Sequence, residues 1–491
     1  MKHTYFLPMS SFLAMLFTCA VNAQDQQLII RPHAMTADHF SGRAGSTPPQ
    51  GVLVGMEIPH AECIAPELQR EISAENERNA QRVMREHPGL LSRERGAHPL
   101  FIWPTQPKTG FDDYGYYTVN FLVDHNPTPN GQLLDYNCAA RTYDWSNGNH
   151  AGTDIIYWPY PWRYMDEQIM EIVASAPGVI INKRDGFFDR MCVNAGNPNW
   201  NGIVLEHADG SESWYWHMKS GAITTKVIGE SVEAGEYLGA AGSSGSSTWP
   251  HLHFQVMDAN NAVIDPWAGA CNSINGTDSW WLDQQDYTVP TINRISTHNS
   301  LAYFEDCPEV EITYEDQAFN AGDSIIFRLW FRDLDNGAVS TLRLRDPSGT
   351  VFQTWDFASP WDPYATAFAG WYNVVDNTWP QGNWTFETDF GGNSYETPFQ
   401  IGDFSAVSES DLTTFTCQPN PTSGTLRLSG LGDAGPDARL RLFNMLGEEV
   451  LSTRVTGAEQ TLDLSVLADG VYMLELITGA GRTAQRVVVQ R

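Results

Sequence analysis

The sequence predicts a mainly β protein built from several antiparallel modules, and three observations carry that expectation. Aromatic residues make up 12% of the chain and stand among 41 Gly and 28 Pro, a mixture that favours short strands and turns over long helices. Strand-like runs such as YYTVNFLVD (116–124), DSIIFRLWFRD (323–333) and GNWTFETDF (382–390) recur between Gly, Pro and Asn. In NGIVLEHADGSESWYWHM (201–218) an Asp209-Gly210 turn separates two apolar runs, a hairpin signature. At 491 residues the chain exceeds what one core can organise, and about 150 residues per domain suggests about three domains.

In chain order, MKHTYFLPMSSFLAMLFTCAVNA has an early Lys, an apolar run and small residues at Val21 and Ala23. That is the layout of a signal peptide (1–23) cut after Ala23. No later run is long enough to span a bilayer, so no integral membrane segment is expected after cleavage. Residues 24–100 open with a loop-like stretch holding RPHAM and STPPQG. The dense Glu and Arg of APELQREISAENERNAQRVMREHPGL (65–90) then predict an exposed amphipathic helix ending near Pro88 and Gly89. As a propeptide, a brace or a cover for the site, this region carries no chemistry of its own. Residues 101–275 predict an antiparallel β domain, 290–403 a separate β-sandwich and 410–491 a smaller β module. No solenoid repeat is present.

Seven cysteines are present, and Cys19 leaves with the signal. Cys63, Cys138, Cys192, Cys271, Cys307 and Cys417 remain, an even set that suggests disulfides in an exported chain. No CxxC pair supports a zinc ribbon or a thioredoxin-type site. The pair expected near the chemistry is Cys138 with Cys192. The formal charge is −30, one unit more negative without Lys2, which disfavours nucleic acid and anionic membrane as partners.

The chemistry begins at STWPHLHFQV (247–256). On a strand, residues i and i+2 face the same way, so His251 and His253 share one face while Leu252 and Phe254 take the other. Upstream, NGNHAGTDIIYW separates His150 and Asp154 by three residues, and WYWHM leads into His217. Imidazole nitrogen and carboxylate oxygen suit zinc, and a catalytic zinc keeps three protein ligands. His150, Asp154 and His253 make such a set. His217 and His251 are then available to move protons or to stabilise an oxyanion.

These motifs, together with GEYLGAAGSSGSSTWPHLHFQVMDANNAVIDPW (235–267), resemble the lysostaphin-type zinc metallopeptidases over about residues 146–268. The resemblance implies an antiparallel β peptidase core. It implies one Zn2+ per chain, held by His150, Asp154 and His253, with His217 and His251 as catalytic residues. It also implies peptide-bond hydrolysis in peptidoglycan cross-links or Gly-rich peptides. A catalytically silent wall-binding relative, or an activator of another hydrolase, is the alternative. Two departures bear on substrate preference. Trp249 stands where the family carries a smaller residue and is expected to narrow one groove wall, and KRDGFFDRMCVNAGNPNWNG (183–202) is long for its loop. His207 is expected to be structural. His33, His39, His60, His87, His98, His125 and His298 have no partner at ligand spacing and are expected on the surface or in loops.

In the tail, CQPNPTSGTLRL, LFNMLGEEVL, LDLSVLADGVYMLEL and QRVVVQR are similar to the type IX secretion sorting domain. That implies the type IX secretion machinery as a partner and a route through the periplasm to the outer surface or beyond.

Overall fold

The computed structural model describes residues 29–34, 50–57, 64–91, 96–128, 131–145, 148–192, 197–300, 307–359, 364–402, 415–431, 438–444, 449–478 and 481–491. The signal-peptide expectation and Cys63 lie outside them. The fold is mainly β and antiparallel, in two compact units, residues 1–402 and 403–491.

The centre of the first unit is an eight-stranded sheet. Its order is Ser231–Val232, Gly178–Arg184, Gly202–Glu206, Glu212–Trp216, His251–Met257, Gly152–Tyr157 and Tyr117–Phe121, with Val263–Ile264 paired to the His251–Met257 strand. Alternation along the strands decides the layers. Leu252, Phe254, Val256 and Tyr215 point into a core shared with Ile155, Leu238, Met170 and Ile172, the last three from a small sheet of Thr105–Pro107, Met170–Val173 and Tyr237–Ala240. Trp214, Trp216, Val204 and Met257 take the opposite face and pack under helix α1, Pro66–Glu86.

Helix α1 is the helix expected from the Glu/Arg-rich segment, but it is not simply exposed. Ile72, Asn76, Ala80 and Val83 are buried at spacings of three and four along it, one continuous stripe. Asn76 donates to Glu212 Oε2 at 2.8 Å and accepts from Asn182 Nδ2 at 2.8 Å. Trp214 Nε1 reaches the same Glu212 oxygen at 2.8 Å. Helix α1 thus covers Trp214 and Trp216 and supplies one of the partners of the buried Glu212 carboxylate.

The sandwich pairs a sheet of Ala318–Phe319, Asn393–Ile401, Gly382–Phe390, Val339–Arg345 and Val351–Ala358 with one of Ile29–Ala34, Gln50–Glu57, Tyr364–Val374, Ser324–Leu334 and Thr291–His298. Its core holds Trp355, Trp371, Trp384 and Phe327. The N-terminal stretch expected to be loop-like therefore supplies two strands, Gln50–Glu57 pairing with Tyr364–Val374. The sandwich is also not separate from the peptidase-like sheet. Trp330 and Phe368 belong to the central core, Trp158 Nε1 donates to the Phe331 carbonyl at 2.9 Å, and Arg141 pairs with Asp333 at 2.7 Å.

The disulfides are Cys138–Cys271 and Cys192–Cys307, which corrects the expected Cys138–Cys192 pair. Chain spacing could not reveal that each cysteine meets a partner more than 100 residues on. Cys417 is a buried free thiol. The second unit is a β module whose two sheets close over Leu426, Leu440, Leu474 and Val487.

Candidate metal centre

Register builds the site. The His251–Met257 strand lies antiparallel between Glu212–Trp216 and Gly152–Tyr157, which sets His253 opposite Asp154 on one side and opposite Trp216 on the other. Directly opposed residues on neighbouring strands share a face, so Asp154 and His253 meet. His150 comes from the turn just before the Gly152–Tyr157 strand.

The three candidate ligands converge. His150 Nε2 and His253 Nδ1 are 3.2 Å apart, and Asp154 Oδ1 lies 3.2 Å from the first and 2.8 Å from the second. Ligands at about 2.0–2.1 Å from a tetrahedral zinc stand roughly 3.3 Å from one another, so the triangle has the size of such a ligand set. The tautomers agree with it. A carbonyl can only accept, so the 2.7 Å contact from His150 Nδ1 to the Leu122 carbonyl puts that proton on Nδ1. His253 Nε2 donates to Gln255 Oε1 at 3.2 Å. Both inward nitrogens therefore carry lone pairs aimed at a carboxylate oxygen, an arrangement that a cation resolves. Among the described residues this is the group of His, Cys, Asp and Glu able to hold a metal ion.

Burial works to raise the Asp154 pKa. The surrounding imidazoles, His150 first and then His251 and His253, prevail and hold it well below the usual carboxylate range.

His217 and His251 adjoin the triangle, their rings 4.5 Å apart. His217 directly follows the Glu212–Trp216 strand with a φ of 63°, a left-handed backbone uncommon outside Gly and enriched at functional positions. Its Nδ1 donates to the Ser244 carbonyl at 2.6 Å. His251 Nδ1 donates to the Trp249 carbonyl at 2.6 Å, leaving Nε2 3.8 Å from Asp154 Oδ1. Burial depresses both pKa values, with the His251 and His253 charges adding to the effect at His217, while Asp154 opposes it at His251. Burial therefore favours the neutral form of both rings. All five side chains are buried, and His251, at 8%, is the most exposed.

Two expectations about the surroundings change. Trp249 does not wall a groove; it is packed in the central core, and its contribution is the carbonyl that orients His251. Of the long 183–202 segment, the described residues meet the stretches that flank His217 and its partner Ser244. Asn201 brackets Phe187 through both backbone groups, and Asp189 takes the Ser243 N–H on its carbonyl and the Ser220 N–H on its carboxylate. Phe188 projects into solvent from this segment.

Of the other histidines, His207 is buried between the Pro177 carbonyl and Ser213 Oγ, both at 2.9 Å. His125 and His298, expected on the surface or in loops, are buried, His125 in a loop and His298 at the end of the Thr291–His298 strand. His125 donates to Asp265 at 2.7 Å and His298 to the Thr313 carbonyl at 2.9 Å. Neither signal was available from spacing, because the partners are distant in the chain. His98 is partly buried, stacked on Trp280.

Residues 163–266 match peptidase family M23, and residues 417–490 match the secretion system C-terminal sorting domain. The chain carries a lysostaphin-type peptidase domain followed by a type IX sorting domain. The M23 match begins after His150 and Asp154, so these two lie outside the matched residues.

Among particular relatives, a glycyl-glycine endopeptidase, ALE-1, from Staphylococcus capitis is 40% identical over 85 residues, 16% of this chain and 23% of its own. Lysostaphin from Staphylococcus simulans is 40% identical over 81 residues, 15% of this chain and 16% of its own. The DD-carboxypeptidase/endopeptidase Mpg of Neisseria gonorrhoeae is 32% identical over 114 residues, 22% and 23% of the two chains. The chain thus spans less than a quarter of these relatives. The crystallised catalytic domain of lysostaphin aligns with 33% of this chain and 89% of its own, at 25% identity and a TM-score of 0.18. Among the described residues, no helix is long and apolar enough to cross a membrane.

Proposed function

We propose that this protein is an exported zinc-dependent endopeptidase that hydrolyses peptide bonds in peptidoglycan cross-links or Gly-rich peptides at the outer surface or beyond. The observation that carries this reading is the triangle of His150, Asp154 and His253, with two imidazole lone pairs and one carboxylate oxygen about 3 Å apart. Those three residues would hold the metal, which when bound supplies a Lewis acid for the peptide carbonyl and makes a coordinated water acidic enough to attack at neutral pH.

His217 and His251 do the proton work. With Nδ1 protons committed to the carbonyls of Ser244 and Trp249, each ring offers Nε2 as an acceptor, and burial favours the neutral form that can accept. The ring that takes the proton becomes an imidazolium, able to return it to the leaving amine. To stabilise the developing oxyanion, the second ring would have to carry a proton on Nε2 as well, as an imidazolium that donates to it. The set of five residues is whole, which favours a working enzyme over the silent wall-binding or activator reading.

The glycyl-glycine activity named for the Staphylococcus capitis relative makes an oligoglycine bond the first substrate to try, and the Neisseria relative makes stem peptides the second. The test is the purified chain from residue 24, its zinc content measured, incubated with peptidoglycan and with pentaglycine beside a chelated control. About one zinc per chain and chelator-sensitive release of amino groups are expected. Zinc without cleavage of either substrate sinks the substrate assignment, and no bound zinc sinks the metal centre.

A further inference from the structure

We infer that the His125–Asp265 pair is a positioning device for His150, holding the segment 122–125 that orients this ligand. The inference rests on the reading of His150 as a metal ligand.

Segment 122–125 grips His150 twice. The Leu122 carbonyl accepts the ring Nδ1 proton at 2.7 Å, and the Asp124 N–H donates to the His150 carbonyl at 2.9 Å. The first contact sets which nitrogen faces Asp154, and the second sets the backbone that carries the ring. Thr142 Oγ1 also donates to the Leu122 carbonyl, at 2.6 Å, so that carbonyl cannot turn freely.

The segment is itself tied at its end. His125 Nδ1 accepts from the Ser273 N–H at 3.1 Å, which places the ring proton on Nε2, and Nε2 donates to Asp265 Oδ2 at 2.7 Å. Both side chains have no exposed surface. The other Asp265 oxygen accepts the Trp267 N–H at 3.0 Å, and Trp267 Nε1 reaches Thr153 Oγ1, beside Asp154, at 3.0 Å.

One buried histidine therefore joins the carrier of His150 to the segment that touches the strand of Asp154. The Cys138–Cys271 disulfide ties the second of these stretches to the loop that follows the first. Removing a group bonded directly to a ligating histidine typically changes metal affinity by about 10–100-fold, and His125 acts on such a group, the Leu122 carbonyl, through the backbone that joins them.

The test measures Zn2+ affinity of the full chain by competition with a chelating indicator. The forms are the parent, His125→Ala, Asp265→Asn and His207→Ala, each first checked for folding by circular dichroism. His207 is an equally buried histidine with two hydrogen bonds and no path to His150, so it reports what mere core damage does. Expected are a dissociation constant about 10–100-fold weaker for His125→Ala, a smaller weakening for Asp265→Asn, and a value within about twofold of the parent for His207→Ala. The visible spectrum of the Co2+ form should change in the first two and not in the third, because the d–d bands follow coordination geometry.

If His125→Ala fails to fold, Asp265→Asn carries the same comparison. Parent-like affinity in a folded His125→Ala or Asp265→Asn overturns the inference, as does equal weakening by His207→Ala. A parent that binds no Zn2+ overturns the metal reading itself, a result distinct from unchanged affinity in a variant.

Discussion

Two buried histidine–aspartate groupings sit in the same unit and differ in one respect. At His125 and Asp265 the imidazole has a donor on one nitrogen and a carboxylate on the other, so every polar atom is satisfied by protein. At His150, Asp154 and His253 two rings spend their protons outward and bring bare nitrogens to one carboxylate oxygen. The first pattern closes on itself and serves as a clamp. The second is left with converging lone pairs and suits a cation, so proton placement, more than residue type, separates a structural histidine from a ligand.

The sharpest way to break this comparison is to remove a converging nitrogen. His253→Ala is expected to lose bound zinc and at least about 10³-fold in peptidase rate, measured by metal analysis and amino-group release. Retained zinc would put the ligand role elsewhere. Next in size, His217→Ala is expected to keep zinc and lose about 10²–10⁴-fold in kcat. A parent-like rate would remove its proton role.

A third prediction concerns the far end of the same sheet face. Asn76→Ala breaks the contacts to Glu212 and Asn182, and should cost about 1–3 kcal/mol of stability in denaturant titration while leaving zinc content unchanged.

The smallest effect is on pH dependence. Burial lowers the His207 pKa, the Pro177 carbonyl opposing it, and burial then the Arg328 charge lower that of His298. Their folded values lie below the unfolded one, so the unfolded chain takes up protons first as the medium is acidified. The stability these groups contribute is present above about pH 6.5 and is lost as pH falls from there toward the folded values, at up to about 1.4 kcal/mol per pH unit per histidine. His207→Gln, made in the metal-free His253→Ala background, should flatten that slope by one proton, and an unchanged slope would show that His207 does not titrate.

Much of the site was legible because its signals are local. Two-residue alternation put His251 and His253 on one face, and the short spacing from His150 to Asp154 kept that pair together. What could not be read was register. Nothing near Asp154 announces that it will stand opposite His253, nor near His125 that its partner lies 140 residues on. The N-terminal hairpin was hidden for the same reason: Gln50–Glu57 acquires its second neighbour only through Tyr364–Val374. Helix α1 was legible as a helix, but its buried stripe includes Asn76, a polar residue whose partners come from the sheet.

The pairing of Gln50–Glu57 with Tyr364–Val374 has a consequence in time. A chain emerging N-terminus first presents the earlier strand long before its companion exists, and the whole central sheet lies between the two in sequence. Contacts of such sequence separation are slow to form and leave strand edges open meanwhile. Residues 50–57 should therefore be among the last to gain protection from hydrogen exchange during refolding, after the central sheet has already acquired its own.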